Sequence, residues 1–357
     1  MSRRTLQDVI EDRNNSFNAV RLLAAAAVFV SHAFLIVPAG THHQPLDNMA
    51  FDLGQLAVNV FFFLSGLMLS RSFALKPHLG SFIIARILRI FPGLLVCGAL
   101  IAWVIAPFST SLSLGEYFTN PATWIYPLLM PVFFSQTDLP GAFLFGMEPG
   151  QVNIPLWTIK YELIAYLAFL GIPLLKVFGS RAAMAALVFL FGTLVVIGYQ
   201  THAFDASFAG SLIRFGFCFA LGMLAFTCRD RIVLSWPIAL CGIVLAFWLS
   251  PTPLGQVASI IAFAYAAATL GATSIPGLTR ATRHTDLSYG IYLYSFPIQQ
   301  ALLARFGTTL PLAILMSLAA AAVTVCFAYL SWHWVERPAL SLKRYFTPAQ
   351  QAGQQPA

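Results

Sequence analysis

The sequence predicts an all-α membrane protein, a polytopic bundle of about ten transmembrane helices. Of its 357 residues, 59% are hydrophobic and only 9% are charged, and the mean hydropathy is +0.78. Long apolar stretches of this kind are typical of membrane spans. Because these stretches are continuous and do not alternate with polar residues, they favour helices over the strands of a β-barrel.

The apolar segments divide the chain into ten spans within one transmembrane domain, residues 17–340. A cytoplasmic segment, 1–16, precedes this domain, and a cytoplasmic tail, 341–357, follows it. We expect the tail to be disordered because it is rich in Gln, Ala and Pro. The spans lie near residues 17–37, 54–71, 83–106, 154–175, 182–200, 210–227, 233–250, 256–274, 287–305 and 311–333.

Charged residues alternate in sign from one connection to the next. One side holds 16 of the 20 Lys and Arg residues, namely Arg3, Arg4, Arg13, Arg71, Lys76, Arg86, Arg89, Lys176, Arg181, Arg229, Arg231, Arg280, Arg283, Arg337, Lys343 and Arg344. The opposite side holds Asp47, Asp52, Glu116, Asp138, Glu148 and Asp205, with Arg305 at a span end. The positive-inside rule therefore predicts that both termini are cytoplasmic. The net charge of +7 then reflects topology and does not indicate a nucleic-acid partner.

One long outer segment, 108–153, does not fit a simple loop. Its apolar part is too short to span the membrane and contains Pro127 and Pro131. We expect a re-entrant or interfacial segment, which is either a lid over an outward-facing site or an ordinary surface flap. The five cysteines are scattered through apolar stretches and are expected to be small hydrophobic residues, with no metal site.

Arg21 and His32 lie in the first span and are the most informative pair of residues in the sequence. They are eleven residues apart, so both project from one helix face, about three turns or roughly 16 Å apart. Ionisable groups inside a span are energetically costly and commonly functional. The pair therefore predicts a polar path with a reactive imidazole at its far end.

Several spans place polar side chains at the same predicted depth as His32. Counting from the span ends puts Glu162, Asn59 and Arg214 in the outer third of the bilayer with it. A carboxylate that accepts one imidazole N–H raises the basicity of the other nitrogen, so Glu162 would make His32 a general base. The alternatives are a salt bridge of Glu162 with Arg214 or Lys160, and an interhelical hydrogen bond for His32.

Two further patterns suggest ligand contacts. Arg86 and Arg89 are three residues apart on one helix face, and guanidinium groups bind phosphate bidentately. Their alternative role is to anchor the helix at lipid headgroups. Ser65 and Gly66 lie in the second span, where small residues allow close helix approach, and Ser65 is also placed to hydrogen-bond a ligand.

In combination, these motifs resemble those of the membrane acyltransferase-3 family over residues 14 to about 340. Two positions differ from the family pattern: Asn18 stands where an acidic residue is common, and Ser295 stands where a histidine is common. The matched motifs are Arg21-x10-His32, Phe61-Phe62-x-x-Ser65-Gly66, Arg86-x-x-Arg89 with Pro92, Leu156-Trp157-Thr158 with Glu162, Ser288-Tyr289 with Tyr292-Leu293, and Glu336-x-Pro338.

The resemblance implies a bacterial inner-membrane O-acetyltransferase that requires no metal. The donor would be cytoplasmic acetyl-CoA or another acyl-CoA, and the acceptor a hydroxyl of a surface polysaccharide or lipid-linked sugar. The implied roles are catalysis for His32, Glu162 and Arg21, donor binding for Arg86, Arg89, Arg71 and Ser65, and acceptor binding for Asn59, Trp157, Tyr161 and Arg214. Arg21 and Asn59 are the two candidates for stabilising the oxyanion.

Two other classes of function remain open from the sequence. A lipid or oligosaccharide translocator would use the intramembrane charges as a conduction path, and a structural subunit of a polysaccharide synthase would use none of them chemically. Internal inverted repeats, common in transporters, are not evident, and the arginine pair lies at the inner face. Both observations favour the enzyme.

Overall fold

The computed structural model describes residues 4–12, 14–36, 44–134, 138–144, 150–174, 178–202, 207–306 and 310–346. Over these ranges the chain is helical, with one isolated β-bridge and no strand. The all-α prediction is confirmed. The α-helices are α1 (Leu6–Glu11), α2 (Phe17–Ile36), α3 (Leu53–Leu75), α4 (Leu79–Leu100), α5 (Leu114–Thr119), α6 (Pro121–Phe133), α7 (Ile159–Leu174), α8 (Arg181–Thr201), α9 (Phe208–Thr227), α10 (Trp236–Leu249), α11 (Gly255–Ala272), α12 (Pro276–Thr282), α13 (Ser288–Phe306), α14 (Leu310–Ser331), α15 (Arg337–Ser341) and α16 (Lys343–Phe346).

Each predicted span coincides with one of these helices. Seven helical stretches of the described residues are long and apolar enough to cross a membrane: Phe17–Ile36, Leu53–Leu75, Leu79–Phe108, Arg181–Thr201, Phe208–Thr227, Gly255–Ala272 and Ile314–Phe346. Helices α7 and α10 are shorter, with 16 and 14 residues. The count of ten crossings and the cytoplasmic termini therefore stay predictions.

Helix α13 is long enough to span, with 19 residues, but it is too polar to be among those seven. It is almost entirely buried and packs against α2, α4 and α14. Because it faces protein and not lipid, it accommodates buried polar residues such as Gln299 and Gln300. The most polar long helix thus lies at the centre of the bundle.

Helices α3 and α9 pack with almost no gap between their backbones. A Cβ atom added at Gly66 would lie 2.1 Å from the carbonyl oxygen of Phe219, and one added at Gly222 would lie 2.1 Å from that of Phe63. Small residues permit this contact, as in other membrane helix pairs. The close approach predicted for the Ser65-Gly66 motif is confirmed.

The basic connections meet at one end of the bundle. The N-terminal segment pairs with the loop after α9 through the bridge between Thr5 and Val233. Arg4 donates to the carbonyl oxygen of Ala272 at the end of α11, at 2.8 Å. We call this the basic end, and the end that holds the α2–α3 connection the outer end. Which end faces the cytoplasm remains the prediction from charge.

The long outer segment folds as α5 and α6 against the outer half of α4. Helix α6 has 13 residues and is about 20 Å long, too short to span. A Cβ atom at Gly98 would lie 2.9 Å from the Cα atom of Pro127, and Trp103 donates to the carbonyl oxygen of Thr123 at 3.2 Å. The segment therefore lies beside a spanning helix, and its re-entrant or interfacial placement remains a prediction.

The structure describes the predicted tail, residues 341–357, only as far as Phe346, so its disorder stays a prediction. Lys343–Phe346 form α16, which contacts α4, so the ordered chain extends past the predicted domain boundary. The rest of this tail, from Thr347, lies outside the described residues. So do five residues of the charge pattern: Arg3, Arg13, Glu148, Lys176 and Asp205.

Candidate active site

A central cavity of about 370 Å³ lies between α2, α3, α4, α7 and α13. Along α3 its lining runs from Ser72, near the basic end, to Val58, a distance of about 21 Å along the helix axis. The cavity is thus a long, narrow space that extends from the basic end into the middle of the bundle. Five of the predicted site residues line it: Arg21, Ser65, Arg86, Arg89 and Glu162. The other predicted residues, His32, Asn59, Arg71, Trp157, Tyr161 and Arg214, do not.

A buried ion cluster lies at the basic end of the central cavity. The Arg89 guanidinium contacts the Asp286 carboxylate at 2.6 Å and the Glu336 carboxylate at 3.6 Å, and Arg21 lies 3.8 Å from Asp286. The side chains of Arg89, Asp286 and Glu336 are 11%, 12% and 1% exposed. Burial alone would raise the pKa of Asp286, but Arg21 and Arg89 hold it well below its usual range. The cluster joins α2 and α4 to the start of α13 and to the chain beyond α14.

The sequence interpretation did not identify Asp286 and used Glu336 only as part of a motif. Asp286 is an acidic residue in a connection that is otherwise basic, directly before a helix with many polar residues. An acidic residue on the positively charged side of a membrane protein is a detectable signal, because it needs a cationic partner there.

The expected two-arginine clamp for phosphate is not what the structure contains. Arg89 is neutralised by the two carboxylates of the cluster. Arg86 lies over the rings of Phe82 and Tyr166, at 5.9 and 5.6 Å, and its Nε atom is buried with no hydrogen-bond partner. Arg86 therefore carries the uncompensated guanidinium of the central cavity.

Glu162 does not contact His32 in the structure. Its carboxylate accepts a hydrogen bond from the Tyr166 hydroxyl, and it lines the central cavity together with Arg21. Among the described residues, it forms no hydrogen bond or ion pair with His32, Arg214 or Lys160. The predicted pairing of Glu162 with His32 is therefore not formed in this structure, and Glu162 lies on the side of Arg21.

The chain before α7 explains this displacement. A 3-10 turn, Ile154–Thr158, enters the bundle before the α-helix begins. The Asn153 amide donates to the carbonyl oxygen of Leu293 at 2.9 Å, in the second turn of α13. Because α7 begins inside the bundle and not at the outer surface, Glu162 lies further toward the basic end than the sequence predicts.

Two hydroxyl groups close the deep end of the central cavity. The Tyr292 hydroxyl donates to the carbonyl oxygen of Pro155 at 2.6 Å and also bonds the Thr158 hydroxyl. Both residues line the cavity. The sequence interpretation treated them only as motif positions, because the contact joins helices that are far apart in sequence.

His32 lies beyond this deep end, behind Phe296. Its ring meets the Phe296 ring edge to face, with 5.3 Å between the centroids. Phe296 follows Tyr292 by one helical turn, on the same face of α13. Neither His32 nor Phe296 lines the central cavity, so the predicted continuous path from Arg21 does not reach His32 in this structure.

The surroundings of His32 contain several buried polar atoms that lack partners. His32 Nδ1, Ser295 Oγ and Gln299 Oε1 form no hydrogen bond, although the Gln299 amide donates to the carbonyl oxygen of Phe29 in α2, at 3.1 Å. Unsatisfied buried polar atoms are costly and uncommon, so such a group indicates a functional location. The sequence interpretation did not identify Gln299.

The predicted acceptor residues separate into three places. Trp157 and Arg214 line a second cavity of about 240 Å³ near the outer end. Tyr161 is buried and lines an apolar groove beside that cavity. Asn59 is buried with both side-chain polar atoms unpaired, and it lines neither cavity.

The protein is thus a bundle of apolar helices around a deep cavity, with the Arg86 guanidinium inside it and hydroxyl groups at its far end. A family model described as an acyltransferase domain matches residues 14–333, nearly the whole chain. The chain therefore belongs to the acyltransferase-3 family. In the parts of the chain that are described, no three His, Cys, Asp or Glu residues are grouped so that they could hold a metal ion.

Two relatives match almost end to end. An O-acetyl transferase of Shigella phage Sf6 is 26% identical over 91% of this chain and 96% of its own length. Nodulation protein 10 of Rhizobium leguminosarum bv. viciae is 28% identical over 92% of this chain and 94% of its own length. No solved structure matches this chain. The family and the first relative confirm the predicted enzyme class, an O-acetyltransferase in the membrane.

Proposed function

We propose that this protein transfers an acetyl group from cytoplasmic acetyl-CoA to a hydroxyl of a surface polysaccharide or lipid-linked sugar, at the bacterial inner membrane. The observation that carries the proposal is the central cavity, which extends from the basic end toward His32 and holds an uncompensated arginine. Such a shape suits a long, thin donor with phosphates at one end. The O-acetyl transferase relative supports acetyl as the transferred group.

In this proposal, Arg86 binds a phosphate of the donor at the basic end. Within the described part of the chain no carboxylate pairs with its guanidinium, which is held over two aromatic rings. The arm of the donor then follows α3 past Ser65 and brings the thioester to Thr158 and Tyr292. Arg89 stabilises the cavity walls through its ion pairs with Asp286 and Glu336.

His32 acts as the general base for the acceptor. It removes the proton of the sugar hydroxyl, whose oxygen forms a bond to the thioester carbonyl carbon. The carbon–sulfur bond then breaks, and the departing thiolate of coenzyme A takes the proton from the imidazolium. The thioester reaches His32 only if the Phe296 side chain moves, so donor binding has to displace that ring.

The oxyanion of this reaction needs hydrogen-bond donors. Arg21 lies at the basic end beside Asp286, about three turns from His32. The hydroxyls of Thr158 and Tyr292 are at the deep end, where the thioester would arrive. Because the Tyr292 hydroxyl donates its one proton to the carbonyl oxygen of Pro155, we assign oxyanion stabilisation to the Thr158 hydroxyl in preference to Arg21 or Asn59.

The test of this function uses full-length protein purified in detergent. Incubation with radiolabelled acetyl-CoA and a bacterial lipid-linked oligosaccharide extract is expected to move label into the saccharide and to release thiol in proportion. A translocator or a structural subunit would release no more thiol than a mock purification. That result would overturn the enzyme assignment for this chain.

Replacing Arg86 with Ala is expected to weaken acetyl-CoA binding by about 10- to 100-fold, because a charge-assisted contact with phosphate is lost. Equilibrium binding of acetyl-CoA to the purified protein measures this. Arg280→Ala is the matched control, since Arg280 is an exposed arginine at the basic end that does not line the cavity. Equal affinity of Arg86→Ala and the unmodified protein would contradict the assignment.

A further inference from the structure

The second cavity, which we call the outer cavity, contains the cationic side chain of Arg214. Its lining is Phe51, Gln55, Trp157, Leu194, Val195, Gly198, Tyr199, Gly210, Ser211, Ile213, Arg214 and Gln256. Arg214 lies about 9 Å along α9 from its first residue, inside a candidate membrane span. Among the described residues no carboxylate is within ion-pair distance of it, and its Nε atom is buried without a hydrogen-bond partner. A charge held in this way inside a span is a functional site by default.

The surroundings hold the Arg214 guanidinium in place without neutralising it. It lies between two rings, 5.2 Å from the centroid of Phe51 and 4.6 Å from that of Phe215. Asp52, an acidic residue nearby in the fold, is already committed to capping α3, where it accepts from the Gln55 backbone N–H at 2.8 Å. The Arg214 guanidinium is therefore available to bind an anionic group of a ligand.

The rest of the outer cavity suits a sugar. Gln55, Gln256 and Ser211 supply amide and hydroxyl groups, which can each donate to and accept from sugar hydroxyls. Trp157 and Tyr199 supply aromatic faces with polar edges. The chemistry of the lining thus combines one cation with neutral polar and aromatic groups.

An apolar groove adjoins the outer cavity on the side toward the bilayer centre. Its lining comes from α7, α8 and α9 and includes Ala168, Leu187, Leu212 and Met223. From Leu212 to Met223 it follows α9 for roughly 16 Å. Trp157 of the outer cavity and Tyr161 of the groove are in ring contact, with 5.6 Å between the centroids, so the two sites are direct neighbours.

We propose that the outer cavity and the apolar groove together bind a phosphorylated long-chain lipid that carries the acceptor sugar. The phosphate contacts Arg214, the sugar lies against Trp157, and the hydrocarbon chain occupies the groove. This rests on the proposed function and narrows the acceptor to a lipid-linked sugar. An acidic sugar of a free polysaccharide would use Arg214 but leave the groove without a role, which is why the lipid is preferred.

The test measures binding to the full-length protein in lipid nanodiscs by calorimetry, with no acyl donor present. The probes are farnesyl phosphate, farnesol, glucose 1-phosphate and glucuronate. Farnesyl phosphate is expected to bind most tightly, because it alone has both the anion and the chain. Equal affinity for farnesol and farnesyl phosphate would overturn the role of Arg214, and tighter binding of glucuronate than of farnesyl phosphate would overturn the lipid.

Two substitutions separate the halves of the site. Arg214→Gln should weaken farnesyl phosphate binding by at least about tenfold and leave farnesol binding unchanged. Ala168→Trp, at an exposed position on the groove, should weaken farnesyl phosphate binding without changing glucose 1-phosphate binding. Lys160→Gln is the control, since its ammonium lies over Tyr161 and Phe208 and does not line the outer cavity.

Acetyl-CoA binding by each variant shows that the bundle has folded, because none of the three substituted residues lines the central cavity. The two proposals can fail independently. Arg214-dependent binding of farnesyl phosphate without any acetyl transfer would leave the site intact and remove the proposed function. Acetyl transfer with no Arg214-dependent binding of farnesyl phosphate would leave the proposed function intact and remove the proposed lipid site.

Discussion

Replacing His32 with Ala is expected to lower acetyl transfer by about 10²- to 10⁴-fold, the usual contribution of a general base. The physical reason is that the sugar hydroxyl is a weak nucleophile until its proton is removed, and His32 is the imidazole that lies beyond the deep end of the central cavity. Acetyl-CoA binding should change little, because Arg86 and the rest of the lining are untouched. Single-turnover transfer of radiolabelled acetyl and equilibrium donor binding measure the two effects separately.

His78→Ala is the matched control for this variant. His78 caps the start of α4 by accepting from the Ser81 backbone N–H at 3.1 Å, and it does not line the central cavity. It should retain transfer activity. If His32→Ala released thiol and acetylated the saccharide as fast as His78→Ala, the imidazole would have no part in the chemistry.

The second large effect concerns the buried ion cluster. Arg89→Ala is expected to destabilise the protein by about 3–5 kcal/mol, the cost of removing one partner from a buried ion pair. The substitution leaves the carboxylates of Asp286 and Glu336 buried with the more distant Arg21 as their main compensation. Thermal and denaturant unfolding in detergent, with and without acetyl-CoA, measure this loss.

Arg181→Ala is the control for the cluster, because it breaks an ion pair of similar length, 2.7 Å to Asp230, in which both side chains are more than 40% exposed. Exposed pairs contribute little to stability, so this variant should have nearly the same free energy of unfolding as the unmodified protein.

The comparison of Arg89→Ala with Arg86→Ala separates stability from donor binding. Arg86→Ala should lose donor binding with little loss of stability. Arg89→Ala should lose stability, and an Arg89→Ala protein as stable as Arg181→Ala would show that the cluster is not structural.

Much of the fold followed from local patterns. Continuous apolar runs predicted the ten helices α2, α3, α4, α7–α11, α13 and α14, since the need to satisfy backbone hydrogen bonds in lipid leaves few alternatives. Gly66 predicted a close helix contact, because glycine has no side chain and lets the backbone of a neighbouring helix approach. The spacing of Arg21, Ser65, Arg86 and Glu162 was informative too, and all four line one cavity.

The sequence by itself therefore determined the helical class, the order of the helices and the family motifs, because these depend on neighbours along the chain. Only the tertiary structure decided which charges meet. Glu162 lies toward the basic end because the turn before α7 enters the bundle. Arg89 is neutralised because Asp286, about 200 residues later, packs against it. Such contacts depend on depth and rotation between helices, and the energy of a buried charge depends on them far more than on its place in the sequence.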